Sequence, residues 1–212
     1  MNALICSRMP PPSKYRGLAN GNFGIALLLL VLAVLMSAFG APVFPPRNAV
    51  HAAIVSQDDV EAAYLYNFAK FVTWPPNAKP GLLSICVLGN DPFGGTLDQI
   101  VDGETINGRH LEVVRLKDAR SLSSCSIVFV GDSEAPHLDQ DMAALAFLPA
   151  LTVSDLPGFM EHGGTIQFVL IDNRVRFQVN LNAARKCGIV LSSQLLKVAS
   201  KVVGTAPGEA AP

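Results

Sequence analysis

The run LLSICVL at residues 82–88 constrains the fold more than any other stretch of this chain. A strand with one wet face alternates apolar and polar residues, whereas a nearly continuous apolar run is covered on both faces, as in parallel sheets flanked by helices. Three further runs follow: HLEVVRL at 110–116, IVFV at 127–130 and LTV at 151–153. Helical spacing fills the gaps, at 93–101, with Pro92 suited to the first helical position, and at 138–148, stopped by Pro149. Strands alternating with helices predict an α/β fold of three layers, with a mostly parallel central sheet and helices on both faces.

Ahead of the first strand, VEAAYLYNFAKFVTWP at 60–75 places Val60, Tyr64, Phe68 and Phe71, with Leu65 and Val72, on one wide helical stripe. Ser56 offers an N-cap, and Asp58, Asp59 and Glu61 put negative charge near the positive end of the helix dipole. Lys70 stands near the other end, and Pro75 and Pro76 close the element. This is a core helix by its pattern rather than a ligand box.

The C-terminal third changes character. Runs at 165–171 and 174–181 flank Asp172-Asn173, a tight hairpin signal, and predict an antiparallel addition to the sheet. Val175, Phe177 and Val179 alternate with Arg174, Arg176 and Gln178, so one face of the second run is wet or paired. A short helix at 182–187 ends at Gly188, and a last amphipathic helix is expected over 193–203, ended by Gly204.

Residues 1–52 read as a leader rather than fold. Arg8, Lys14 and Arg16 precede the apolar run Ile25–Met36, followed by small residues and prolines, with cleavage expected after Gly40 or Ala52. The run is short for a membrane span, which takes about 20 apolar residues. An uncleaved anchor is the other reading. The chain thus divides into a signal segment at 1–52, a single α/β domain at 56–204 and a disordered tail at 205–212. A formal net charge of −1 and the lack of a basic run after the leader argue against a nucleic-acid partner.

The chemistry-bearing residues do not assemble in the sequence. The motifs G-x-S-x-G, S-x-x-K, H-E-x-x-H and C-x-x-C are all missing. His110, His137 and His162 show no metal spacing, and the acidic patch Asp132, Glu134, Asp139 and Asp141 lacks the loop spacing of a calcium site. No catalytic residue, metal or cofactor is expected. Gly89-x4-Gly94-Gly95-Thr96 matches a phosphate loop except for the lysine that would reach the phosphates.

Cys86 and Cys125 both adjoin strand runs, and after export a bridge between them would contribute roughly 4 kcal/mol by the chain-entropy argument. Two reduced buried thiols are the alternative. Cys187 has no evident mature partner; it is an inert thiol, an intermolecular link or a redox sensor, in that order. Asn90, Asp91, Asp132 and Asp155 follow three parallel strands at their carboxyl ends, where open α/β sheets hold ligands. The same residues are favoured in turns for conformational reasons alone. For contact with a partner, the turn Pro157-Gly158-Phe159 and the wet hairpin face with Arg174 and Arg176 are nominated.

YLYNFAKFVTWP, ICVLGNDPFGGTLD, NGRHLEVVRL, CSIVFV and LTVSDLPGFMEHGGTIQFVLIDNRVRFQVNLNAARKCGIVLSSQLLKVA, in this order, resemble the YfiR-like family of exported bacterial proteins. The resemblance spans about Val60 to Gly204. It implies a periplasmic α/β domain, frequently dimeric and without enzyme activity, that binds the periplasmic region of an inner-membrane diguanylate cyclase or other sensor receptor and holds it inactive, limiting cyclic di-GMP and biofilm formation. Cys86 and Cys125 match the position of the family's structural disulfide. Cys187 lacks the second cysteine that some relatives place near it. The alternative function is a periplasmic small-molecule sensor domain feeding a membrane receptor.

Overall fold

The computed structural model describes residues 55–76 and 81–204. The first helix, α1 (Gln57–Phe71), begins where the sequence sets it. Ser56 accepts a hydrogen bond from the Asp59 backbone, and the Asp59 carboxylate accepts one from the Ser56 backbone, a reciprocal capping box. Leu65 and Phe68 are fully buried, while Val60, Tyr64 and Phe71 lie half-buried at the edge of the stripe.

The elements then run β1 (Val72–Thr73), β2 (Leu82–Leu88), α2 (Gly95–Val101), β3 (Thr105–Ile106), β4 (Arg109–Leu116), β5 (Ile127–Val130), α3 (Leu138–Leu145), β6 (Leu151–Ser154), β7 (Ile166–Ile171) and β8 (Arg174–Asn180). The chain continues through α4 (Leu181–Lys186), β9 (Val190–Leu191), α5 (Ser193–Val198) and β10 (Lys201–Val203). Short 3-10 turns at Ala119–Ser124 and Asp132–His137 precede β5 and α3. Eight strands form one sheet in the order β10-β8-β7-β6-β5-β2-β4-β3. Only the β7–β8 hairpin and the β3–β4 edge pair antiparallel within it. The fold is therefore α/β with a mostly parallel sheet, as the apolar runs require, and Asp172 and Asn173 take positive φ at the hairpin turn.

Each face of the sheet buries its own core. On one, α1 and the C-terminal helices pack over Ile85, Phe129 and Val153, with Tyr64, Phe68, Phe168 and Phe177 as an aromatic cluster whose centroids lie 5.0–5.9 Å apart. On the other, α3 covers Leu88, Val128 and Val130 with Met142 and Leu145. The Cys86–Cys125 disulfide lies in this second core, its Cα atoms 5.8 Å apart, and ties β2 to the residue entering β5.

Several boundaries differ from expectation. The last helix stops at Val198 rather than Val203, because Ser200 donates both its backbone N–H and its hydroxyl to the Phe177 carbonyl, each at 2.8 Å. That pulls Lys201–Val203 alongside β8 as a parallel edge strand. Helix α2 starts at Gly95, since the Asp91 carboxylate accepts from the Phe93 backbone and holds Pro92 and Phe93 in a turn. Helix α3 ends at Leu145, before the residues that lead to Pro149. The two-residue pairing of β1 with β9 is a separate antiparallel sheet that the sequence reading missed. The expectations for 1–52 and 205–212 fall outside the described residues.

Candidate functional site

The carboxyl ends of β2, β5 and β6 carry the residues nominated for a crevice. At the first two ends the chain is drawn together rather than opened. The Asn90 backbone donates to Ser133 Oγ at 2.9 Å, and a side chain on Gly89, where φ is +82°, would overlap Ser133 and Glu134. Asp91 has local work: Oδ1 accepts from the Phe93 backbone at 2.8 Å and Oδ2 from Arg115 Nε at 2.8 Å. Arg115 reaches on to Asp98 and the Gly94 carbonyl, so β4 and the β2–α2 turn are laced together.

The phosphate-loop likeness is given another use by the same contacts. Thr96 donates its hydroxyl to Asp59 Oδ1 at 3.0 Å, which fastens α2 to the first turn of α1. A carboxylate thus occupies the hydroxyl that a phosphate loop would turn toward a metal.

Asp155 feels the charge of Asp132 and of Asp58, and its own charge acts on Glu61; Asp58 and Glu61 are two of the acids that the sequence assigns to the helix dipole. Asp155 is held above the usual carboxylate range first by burial, then by the negative charge of Asp132 and Asp58. Glu61 is 1% exposed and is pushed up to about 7, again chiefly by burial, with Asp155 and Asp58 adding repulsion. Gln57 Nε2 donates to Glu61 Oε1 at 2.9 Å and partly offsets this. Glu61 precedes Leu65 and Phe68 by four and seven positions, so it stands on the buried stripe. That position in the pattern was the available signal. Among the described residues no cluster of three or more histidine, cysteine or acidic side chains is placed to hold a metal.

A second locus lies at the hairpin. Val55, Val60, Leu170 and Val175 line a groove of about 560 Å³ rimmed by Arg174 and Arg176. Val55 and Leu170 are large exposed apolar side chains, and Ile171 at the hairpin end is exposed as well. Both arginines are exposed. An apolar floor with a cationic rim has the anatomy of a contact surface.

Phe159, nominated beside those arginines, is a correction. It is fully buried in the α3-side core, and its ring fills the space where a Gly164 side chain would stand. The Pro157-Gly158 turn is real, but it sends Phe159 inward. Cys187 is half-buried, and burial pushes its thiol up, which lowers its reactivity.

Fold and edge geometry together define a three-layer α/β domain with an arginine-rimmed hairpin and a buried disulfide. The chain belongs to the family described as DUF4154, YfiR/HmsC-like, whose profile matches residues 58–200. Among solved structures it is similar to a conserved domain protein from Vibrio cholerae, at 12% identity and a TM-score of 0.45, over 70% of this chain and 60% of that one. It is also similar to the ABC domain from Streptococcus pneumonia solved in complex with L-Trp, at 13% identity and a TM-score of 0.45, over 66% of this chain and 59% of that one. The chain therefore spans less than two thirds of either. No helix among the described residues is long and apolar enough to cross a membrane.

Proposed function

We propose that the mature chain is a non-catalytic periplasmic regulator. It binds the periplasmic region of an inner-membrane signalling protein, a diguanylate cyclase, and holds it inactive, which lowers cyclic di-GMP and biofilm formation. Family membership over residues 58–200 carries this reading. A cross-linked domain with an apolar, arginine-rimmed hairpin is physically suited to it, because a rigid surface forfeits little entropy on association.

The hairpin groove is the proposed contact surface, with Leu170 and Val55 on its floor and Arg174 and Arg176 selecting an acidic partner segment. Deletion of the gene with measurement of cyclic di-GMP tests the reading, together with capture of the membrane partner on the tagged mature protein. A rise in cyclic di-GMP and recovery of a cyclase are expected. Unchanged cyclic di-GMP with no cyclase or receptor captured overturns the proposal.

A further inference from the structure

Strand β8 lies between β7 and the edge strand β10, but β10 covers only its far end. That pairing runs from Lys201 opposite Gln178 to Val203 opposite Asn180, whereas β7 pairs with β8 along its whole length, back to Arg174. Residues 174–176 therefore have no strand beside them on the β10 side among the described residues. Successive residues in a strand aim their backbone groups to opposite sides within the sheet. The Asn180 N–H donates to the Thr165 carbonyl at 2.8 Å, toward β7, and the Phe177 carbonyl accepts from the Ser200 N–H at 2.8 Å, toward β10. Both bonds set the same alternation. The N–H and C=O of Val175 thus point away from β7, at a place that β10 does not reach. Such an open pair is a template for another strand.

The side chains around it are sorted by face. Val175 packs on the α1 side with Phe177 and Val179, and it joins Leu170, Val60 and Val55 in the apolar groove. Arg174 and Arg176, one position either way, take the opposite face of the strand and are exposed. A strand laid antiparallel along this edge sets one of its residues opposite Val175, where both backbone bonds form, and the residues on either side opposite the arginines.

Charge then selects the occupant. A second copy adding its own β8 in this way would bring arginine opposite arginine, which is unfavourable. Residues 41–54, which lead to the groove at Val55, hold Arg47 and His51 and no acid. A stretch reading acid, apolar, acid satisfies all three positions. We propose that the open edge of β8 at Val175 takes up an extended acid–apolar–acid segment of the partner protein as an added strand, its apolar side chain entering the groove. This rests on the hairpin being the contact surface proposed above, and it gives the partner segment a backbone conformation and a residue pattern.

Calorimetric titration and amide hydrogen exchange of the purified mature protein test this, with acetyl-Thr-Thr-Glu-Val-Glu-Thr-Thr-amide as the probe. Binding is expected, and saturating probe should slow exchange of the Val175 amide by about tenfold or more while leaving the Arg176 amide, which faces β7, unchanged. Methylating the backbone nitrogen of the probe's valine removes the donor meant for the Val175 carbonyl and should weaken binding by about tenfold or more. Reordering the probe to Glu-Glu-Thr-Val-Thr-Thr-Thr, at the same charge, should weaken it similarly. These arms leave the protein unaltered. Val175→Pro, which removes an N–H that β7 does not use, should lower affinity for the parent probe as well. Failure of the parent probe to bind, equal binding by the methylated or reordered probe, or binding without protection of the Val175 amide would overturn strand addition. Protection that rises with protein concentration in the absence of probe would place a second copy on the edge and overturn it too. Capture of the membrane partner that depends on Arg174 and Arg176 without protecting Val175 would remove strand addition alone and leave the hairpin as the contact surface.

Discussion

Glu61 on α1 and Asp155 just past β6 are coupled through charge across two layers of the fold: the negative charge of Asp155 adds to burial in holding the Glu61 proton. That coupling has a consequence for pH dependence. Glu61 rises from 4.5 to about 7 on folding, so between those values the folded chain binds more protons than the unfolded one. Its contribution is fully present below the lower value and is lost as pH climbs through the upper one. Asp155 shifts in the same direction and adds to the trend. Chemical denaturation should show stability falling from pH 5 to pH 8, with a Glu61 share on the order of 2 kcal/mol.

Glu61→Gln should flatten that profile and stabilise the protein at pH 8, because the amide keeps an acceptor for Gln57 without a charge to desolvate. A variant that tracks the parent at every pH would show that Glu61 is ionised without cost.

The Cys86–Cys125 bridge closes a sequence separation of 39 residues inside a core rather than at its surface. Replacing both cysteines with serine should destabilise the domain by roughly 4 kcal/mol from loop entropy, plus the cost of hydroxyls among Leu88, Val128 and Leu122. Urea unfolding of parent and variant checks this. Cys187→Ser, away from the bridge and half-buried, should stay within about 0.5 kcal/mol of the parent.

Gly164 and Phe159 make a paired test of the α3-side core. A methyl group at 164 would overlap the ring directly, so Gly164→Ala should cost about 1–3 kcal/mol through overpacking. Phe159→Ala should cost about 3–5 kcal/mol through the cavity it leaves. The double variant should cost less than the sum, since the smaller side chain at 159 leaves room for the methyl. Strict additivity in thermal unfolding would mean that the two residues do not share space.

The sheet was readable because β2, β5 and β6 are almost wholly apolar runs, and burial on both faces leaves a mark on composition that no neighbour needs to supply. Two of the elements that escaped have a pairing partner distant in sequence. Lys201–Val203 continues a helical pattern locally and becomes a strand only because Phe177 offers a carbonyl to Ser200. Val72–Thr73 needs Val190–Leu191 to be a strand at all. At the acidic edge, Asp132 and Asp155 were nominated by their place after a strand, whereas Glu61 was hidden by a second valid explanation, the helix dipole. Phe159 misled for the opposite reason: Pro157-Gly158 marks a turn correctly, but a turn fixes the backbone and not the direction of the next side chain. Asp141 was noticed only as part of an acidic run, although its position among Leu138, Met142 and Leu145 marks it as buried.

The hairpin gives the most direct test of the proposed contact surface. Arg174 and Arg176 are exposed on β8, pointing away from the core that Phe177 and Val179 enter. Changing both to glutamate should leave the melting temperature nearly unmoved, since exposed charges away from special features shift stability by about 0.5 kcal/mol or less. Affinity for an acidic partner segment should nevertheless fall by about tenfold or more, because attraction at the rim becomes repulsion. Leu170→Asp should weaken the same complex by removing apolar floor, again with little effect on folding, as Leu170 is 56% exposed. Rising salt should weaken the parent complex and strengthen that of the charge-reversed variant, because screening removes attraction from one and repulsion from the other. Capture of the membrane partner at two salt concentrations separates these outcomes. Equal capture by the parent, the double glutamate variant and Leu170→Asp would move the contact surface off the hairpin while leaving the regulatory reading to its own genetic test.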